Sequence, residues 1–419
     1  MTKEERLKKR HSAEKRFRFY GLASIFVALL FVLILVHNIF SKGSSAFMKT
    51  AINVEVFFDQ ELIEIKNGAT EDQILDADFY DITIESLLKV FPAQDLDQEN
   101  QLIDLFTTDA EIEIKRAFLE NNNLIGKKIN LEITASDDID QLHKGNYPRD
   151  LPEDRRRISD FQLIIYDNLV ENKKIIKNFN NYFFKNGDSR DPELAGIGGA
   201  LIGSFYSIII CLLLAFPVAV LASIYLEEFA PKNKITDFIE ININNLAAVP
   251  SIVYGLLALQ ILLATIQLPR STPLVAGITL ALMTLPRIII PCRASLKAVP
   301  PSIREGALAV GASKFQSVFH HVVPLALPGT LSGTIIGLAQ ALGETAPLIL
   351  IGMVAFVVDI PSTPIDPSSS LPVQVYLWSE SAERGLEWFF KNQTHFQKAY
   401  MIIFLMVQKF MEKVKQKVN

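Results

Sequence analysis

Apolar residues fall in blocks along this chain, and each block has a helical length. The first, FYGLASIFVALLFVLILVHNIF (Phe19–Phe40), is long enough to cross about 30 Å of hydrocarbon as a helix. No small-residue cleavage site follows it convincingly, so it is expected to stay as an anchor. Further blocks run over Ile197–Leu226, Asn245–Ile266, Pro273–Cys292 and Thr330–Val358, with a weaker one over Ala399–Phe410. The pattern predicts six spans. The sixth is the least regular, because AYMIIFLMVQKF is short of the roughly 20 residues a span requires.

Between the first and second blocks the periodicity changes. INVEVFFD and INLEITAS alternate apolar and polar positions as half-buried strands do, whereas FYDITIESLLKVF and DAEIEIKRAFLENN repeat at helical spacing. Residues 41–193 are therefore expected to form a separate α+β domain inserted into an otherwise all-α polytopic membrane protein. The composition agrees with that class: 49% of the 419 residues are hydrophobic, only 21% are charged, and mean hydropathy is +0.25.

Charge sets the orientation. The arm 1–18 carries eight basic and three acidic residues, the stretch Pro286–Pro324 carries Arg287, Arg293, Lys297, Arg304 and Lys314, and the tail 412–419 is basic. With alternating spans these three regions share one side, which the positive-inside rule makes the cytoplasm. The domain 41–193 then lies outside. It has 31 acidic against 18 basic residues, a net charge of −13, so it would not attract an anion. It has one histidine, His143, no cysteine, and no nucleophile with a base beside it, which disfavours an enzyme there; a spacer or a docking and regulatory role both remain open. The two cysteines, Cys211 and Cys292, sit in or beside spans and suggest no disulfide framework.

The connection 300–324 is written as a helical hairpin. Ser302 and Glu305 have capping-box spacing after a double proline, Gly311 can end the helix left-handed, and Ser313 with Gln316 forms a second box opening a helix that Pro324 is expected to close. A cytoplasmic hairpin presenting alanines, Phe315 and Phe319 suits a groove on another protein. Gly329, Gly333 and Gly337 make a small-residue stripe, as do Gly199, Gly203 and Ser207 in the second block, and such stripes let helices approach closely. Glu344 follows on the face of Gly337 and Ala341. A carboxylate at that depth needs a partner, and Arg287 and Arg293 are the nearest candidates in sequence.

These residues resemble a known family. Glu305-Gly306-Ala307, then Gly311, then His321-Val322-Val323-Pro324 is similar to the EAA loop of ABC importer permeases, with Gly306, His321 and Val323 departing from the usual residues. LAAVPSIVYGLLAL (246–259) and AQALGETAPLILIGM (339–353) resemble the PstA-type subunits of phosphate-specific ABC transporters, some of which carry an extra extracytoplasmic domain. The resemblance implies an ABC type I importer permease fold and a translocation pathway near Glu344 and an Arg, either Arg287 or Arg293. It also implies a coupling role for Glu305, Gly306, Ala307, Gly311, Phe315 and Pro324. Partners would be a PstC-like sister permease, a PstB-like ATPase dimer that uses ATP and magnesium, and a PstS-like phosphate-binding protein. No GxxxxGK[ST] loop occurs in the chain, and neither a cofactor nor a metal site is expected in it. Import of another oxyanion or small solute, or membrane sensing, are the competing readings.

Overall fold

In the computed structural model the described residues are 3–63, 71–121 and 124–380. The predicted span Ala399–Phe410 and the tail 412–419 lie outside them. Contacts divide the chain into two compact units, Met1–Asn180 and Asn181–Asn419. That division falls before Glu193, because residues 186–198 join the second unit: Gly196 N–H donates to the Gly187 carbonyl, and Asp188 N–H to that of Val357.

In the first unit, α1 (Lys3–Gly43) runs unbroken from the basic arm through the first apolar block. Beyond it three strands form an antiparallel sheet ordered β2-β1-β3, with β1 (Met48–Phe57) in the middle, β2 (Lys128–Thr134) on one side and β3 (Ile175–Phe179) on the other. Ile52 pairs with Ile133 across one ladder and with Ile175 across the other. Alternation puts Ile52, Val54, Val56 and Phe58 into the core against helices α2 (Tyr80–Leu88) and α3 (Ala110–Glu120), where Phe58 and Phe79 both pack on Phe118. Helix α4 (Asp137–His143) is tied to the central strand by Asp140, which accepts from the Thr50 N–H and hydroxyl at 3.0 and 2.7 Å. Helix α5 (Asp160–Glu171) starts on a complete Ser159–Gln162 capping box.

The second unit is helical. Helix α6 (Gly198–Phe229) ends in a widened π turn, Tyr225–Phe229. Helices α7 (Lys234–Ala247) and α8 (Ser251–Thr265) meet at a bend of 100°. This replaces the simple third span expected over Asn245–Ile266: Pro250 cannot continue the α7 ladder and starts α8 in its place. Helix α9 (Pro273–Ala298) is the most buried of the long helices and packs against α6 and α11 (Lys314–Leu342). Among the described residues four helices are long and apolar enough to cross a membrane, or five if the bent pair counts as one.

The fifth apolar block also differs from its expected shape. Helix α11 begins well before Thr330 and stops at Leu342; residues 346–350 form a separate short helix α12 (Ala346–Leu350). Pro347 and Gly343 explain the break, since hydropathy is continuous there but the backbone ladder cannot be. Helix α12 packs instead on α8, where a Cβ at Gly255 would come within 2.7 Å of the Pro347 Cα. The last described helix is α13 (Leu371–Glu380).

Candidate functional site

Two groups of residues carry the chemistry, one at the C-terminal end of α9 and the other beside its middle. At the C-terminal end is the hairpin. Helix α10 (Pro301–Ala309) starts at an N-cap occupied by Pro300 and makes no side-chain cap bond, so Ser302 sits in the first turn and its expected capping box with Glu305 does not form. Gly311 turns the chain at φ +92, the left-handed conformation that glycine adopts without penalty. Ser313 then caps α11 with a full box: its hydroxyl accepts from Gln316 N–H at 3.2 Å while the Gln316 side chain accepts from Ser313 N–H at 2.9 Å. Pro324 does not close this helix. The chain passes through a widened turn, Val318–Val322, and Pro324 continues into the spanning part of α11, where its missing N–H falls at the junction.

The hairpin exposes Glu305, Gly306 and Phe315, with Phe315 stacked on Phe319 at 4.3 Å, while Ala307 is buried. Its inner side is held by charges. Arg304 grips Glu228 in a forked contact, Nη2 at 2.6 Å and Nε at 3.1 and 3.2 Å, while Nη1 and Nη2 also donate to the carbonyls of Val299 and Leu296 that end α9. Arg293 reaches Glu240 of α7 at 2.5 Å and Glu227 at 3.5 Å, and Lys297 joins Glu227 at 3.5 Å. Lys314 lies over the ring of Phe229. The sequence reading did not single out Glu227, Glu228 or Glu240. They stand more than fifty residues from their partners, so proximity in sequence gave no sign of the pairing.

Beside the middle of α9, Glu344 sits in the break between α11 and α12 with its carboxylate 3.5 Å from Arg287 Nη1. Both side chains are about four-fifths buried, at 17% and 20% exposure. The Arg287 Nη1 is itself buried and makes no aligned hydrogen bond, so the pair is Coulombic and leaves a donor uncommitted. Of the two arginine candidates the structure therefore puts Arg287 beside Glu344 and gives Arg293 to the acidic residues near the hairpin.

The glycine stripes separate into two cases. A Cβ at Gly329 would overlap Ser295, one at Gly333 would overlap Pro291, and one at Gly337 would touch Thr284 at 3.3 Å, so this stripe seats α11 along α9. Gly203 faces Ser368 and Ser369, and Gly199 faces Gly187 and Asp359; these two lie against non-helical segments where a second helix was expected, because α9 meets α6 farther along, at Ser207 and Ile210 opposite Gly277.

Residues 199–363, which hold the hairpin, the Arg287–Glu344 pair and the acidic residues under the hairpin, match the family described as binding-protein-dependent transport system inner membrane component. Residues 4–153 match a separate domain of unknown function. The chain is similar to a probable ABC transporter permease, YqgI, of Bacillus subtilis, 31% identical over 154 residues that make up 37% of this chain and 52% of the relative. It is also similar to phosphate transport system permease protein PstA 1 of Mycobacterium tuberculosis, 33% identical over 160 residues, 38% of this chain and 51% of that one. A probable PstA of Methanocaldococcus jannaschii is 28% identical over 186 residues, 44% and 65% of the two chains. The chain thus spans about half the length of the first of these relatives. Each match is confined to part of the chain.

Proposed function

We propose that this protein is a membrane-spanning permease subunit of an ATP-driven importer of inorganic phosphate. The carrying observation is the hairpin 301–317, with left-handed Gly311 and a capped Ser313, presented on a domain similar to PstA permeases. In this reading the chain hydrolyses nothing itself: an ATPase dimer using ATP and magnesium docks on the exposed face around Glu305, Gly306 and Phe315. A sister permease completes the pathway, and an extracytoplasmic binding protein delivers phosphate. The chain sits in the cytoplasmic membrane with both termini inside, six spans in all, and the α+β domain outside.

Arg287 and Glu344 take the pathway role. A phosphate needs N–H donors, and a guanidinium with a donor not committed to its carboxylate partner can offer one while the carboxylate keeps it oriented and partly neutralised. Incomplete pairing suits transport, since a site that releases its anion must not hold it with every donor.

The test is uptake of radiolabelled phosphate by proteoliposomes holding the assembled complex and its binding protein. Uptake is expected to require ATP and the ATPase subunit. ATP-driven uptake of a different solute with phosphate excluded, or no transport by an intact complex, overturns the reading. Tags after Ser44 and at Ser313 are expected on opposite sides of the membrane, and tags on the same side refute the topology.

A further inference from the structure

The covalent chain links the hairpin directly to two spanning helices, α9 before it and α11 after it. Helix α6 has no such link, yet its terminal turn is the most firmly held surface under the hairpin. Glu228 is 7% exposed and receives three hydrogen bonds from Arg304. The remaining Arg304 bonds run to the Leu296 and Val299 carbonyls, so one guanidinium joins α10, the end of α9 and the end of α6. Two further contacts repeat the connection: Lys314 over the Phe229 ring, and an apolar cluster in which Ile224, Leu296, Val299 and Val322 pack with Ile303 and Phe229. The widened turn Tyr225–Phe229 makes this possible, because an extra residue in the turn shifts the facing of Glu227 and Glu228 relative to a regular helix.

We propose that the Arg304–Glu228 clamp is a transmission element that carries movement of the hairpin into α6, so that α6, α9 and the hairpin shift as one body. The inference rests on the importer reading above and adds a positioning role for two residues that touch neither substrate nor nucleotide. A forked guanidinium with four of its five N–H donors engaged resists shear in a way a single contact does not, since any sliding of α10 on α6 breaks several charge-assisted bonds together.

The experiment uses the assembled transporter in proteoliposomes. Spin labels go on Val310→Cys at the hairpin tip and Leu213→Cys on α6, both exposed positions, while Cys211 and Cys292 are buried. In the otherwise unchanged protein the distance between labels is expected to stay constant between nucleotide-free and nucleotide-trapped states. A shift of several ångströms between those states overturns the proposal, whatever the variants do. In Glu228→Gln and in Arg304→Lys the distance is expected to become state-dependent, and ATP consumed per phosphate imported to rise about tenfold, within the range of ordinary coupling effects. An unchanged ratio and distance in an assembled variant also overturn it. Failure of the importer reading itself looks different: the unsubstituted complex would then show no ATP-driven uptake at all.

Discussion

Gly306 and Gly311 stand on the same hairpin, five residues apart, and a Cβ added at either would meet nothing within 4 Å. They differ in backbone: Gly311 has φ +92, whereas Gly306 lies within the regular helix α10. Replacing both in turn with alanine therefore separates conformational cost from packing. At Gly311 an L-residue is forced into the left-handed region, costing about 1–2 kcal/mol. At Gly306 alanine removes the helix-interior glycine penalty and gains up to about 1 kcal/mol. If the hairpin must hold this turn to dock, a loss of 1–2 kcal/mol reduces the docked fraction by roughly 5–30-fold. The assay is phosphate uptake in proteoliposomes alongside co-purification of the ATPase subunit. Gly311→Ala is expected to lose both in proportion while the protein still inserts, and Gly311→Val to lose more. Gly306→Ala is expected to match or exceed the parent. Equal losses in the two alanine variants, or none at Gly311, refute the reasoning.

Glu344→Gln leaves Arg287 without its counter-charge; discounted for the partial exposure of both groups, about 1–2 kcal/mol is lost and uptake is expected to fall roughly tenfold, with full uptake counting against any pathway role. Gly333→Leu is expected to abolish assembly because the new side chain overlaps Pro291, whereas Gly337→Ala, whose Cβ would lie 3.3 Å from Thr284, is expected to assemble with a small loss; equal tolerance on a native gel removes the packing assignment. Burial, followed by repulsion from Lys177, lowers the pKa of His143, so the unfolded chain takes up the proton first and the α+β unit is expected to lose stability as pH falls through the ordinary histidine value of 6.5. Thermal unfolding from pH 8 to 5 checks this: the slope is expected to vanish in His143→Gln, and a flat profile in the parent contradicts it.

Features set by neighbours in sequence were legible, and features set across the fold were not. Gly311 and the Ser313–Gln316 box are local, so their residue types sufficed. The Ser302–Glu305 box had the right spacing but lost to Pro300, which takes the cap position without needing a side-chain bond. Likewise Ile52, Val54 and Val56 announced a strand through alternation, while the order β2-β1-β3 depends on pairings from opposite ends of the unit. Hydropathy read 330–358 as one span because it sees transfer energy and not backbone continuity; Gly343 and Pro347 decided the break. Arg287 and Arg293 looked alike in sequence. They lie six residues apart on one helix, about 120° apart around its axis, and only the positions of Glu344, Glu227 and Glu240 separate them.

The break after Leu342 changes who governs Glu344. Helix α12 hangs from α11 by three residues and rests on α8, so its place is set by a bent element that turns through 100° rather than by the long helix that precedes it in the chain. Glu344 is thus steered from two sides, its α-carbon by α11 and the chain just beyond it by α8. A tilt of the bent pair alone would draw the carboxylate along or away from Arg287 and change how much of that guanidinium is left free, with α9 and α11 standing still.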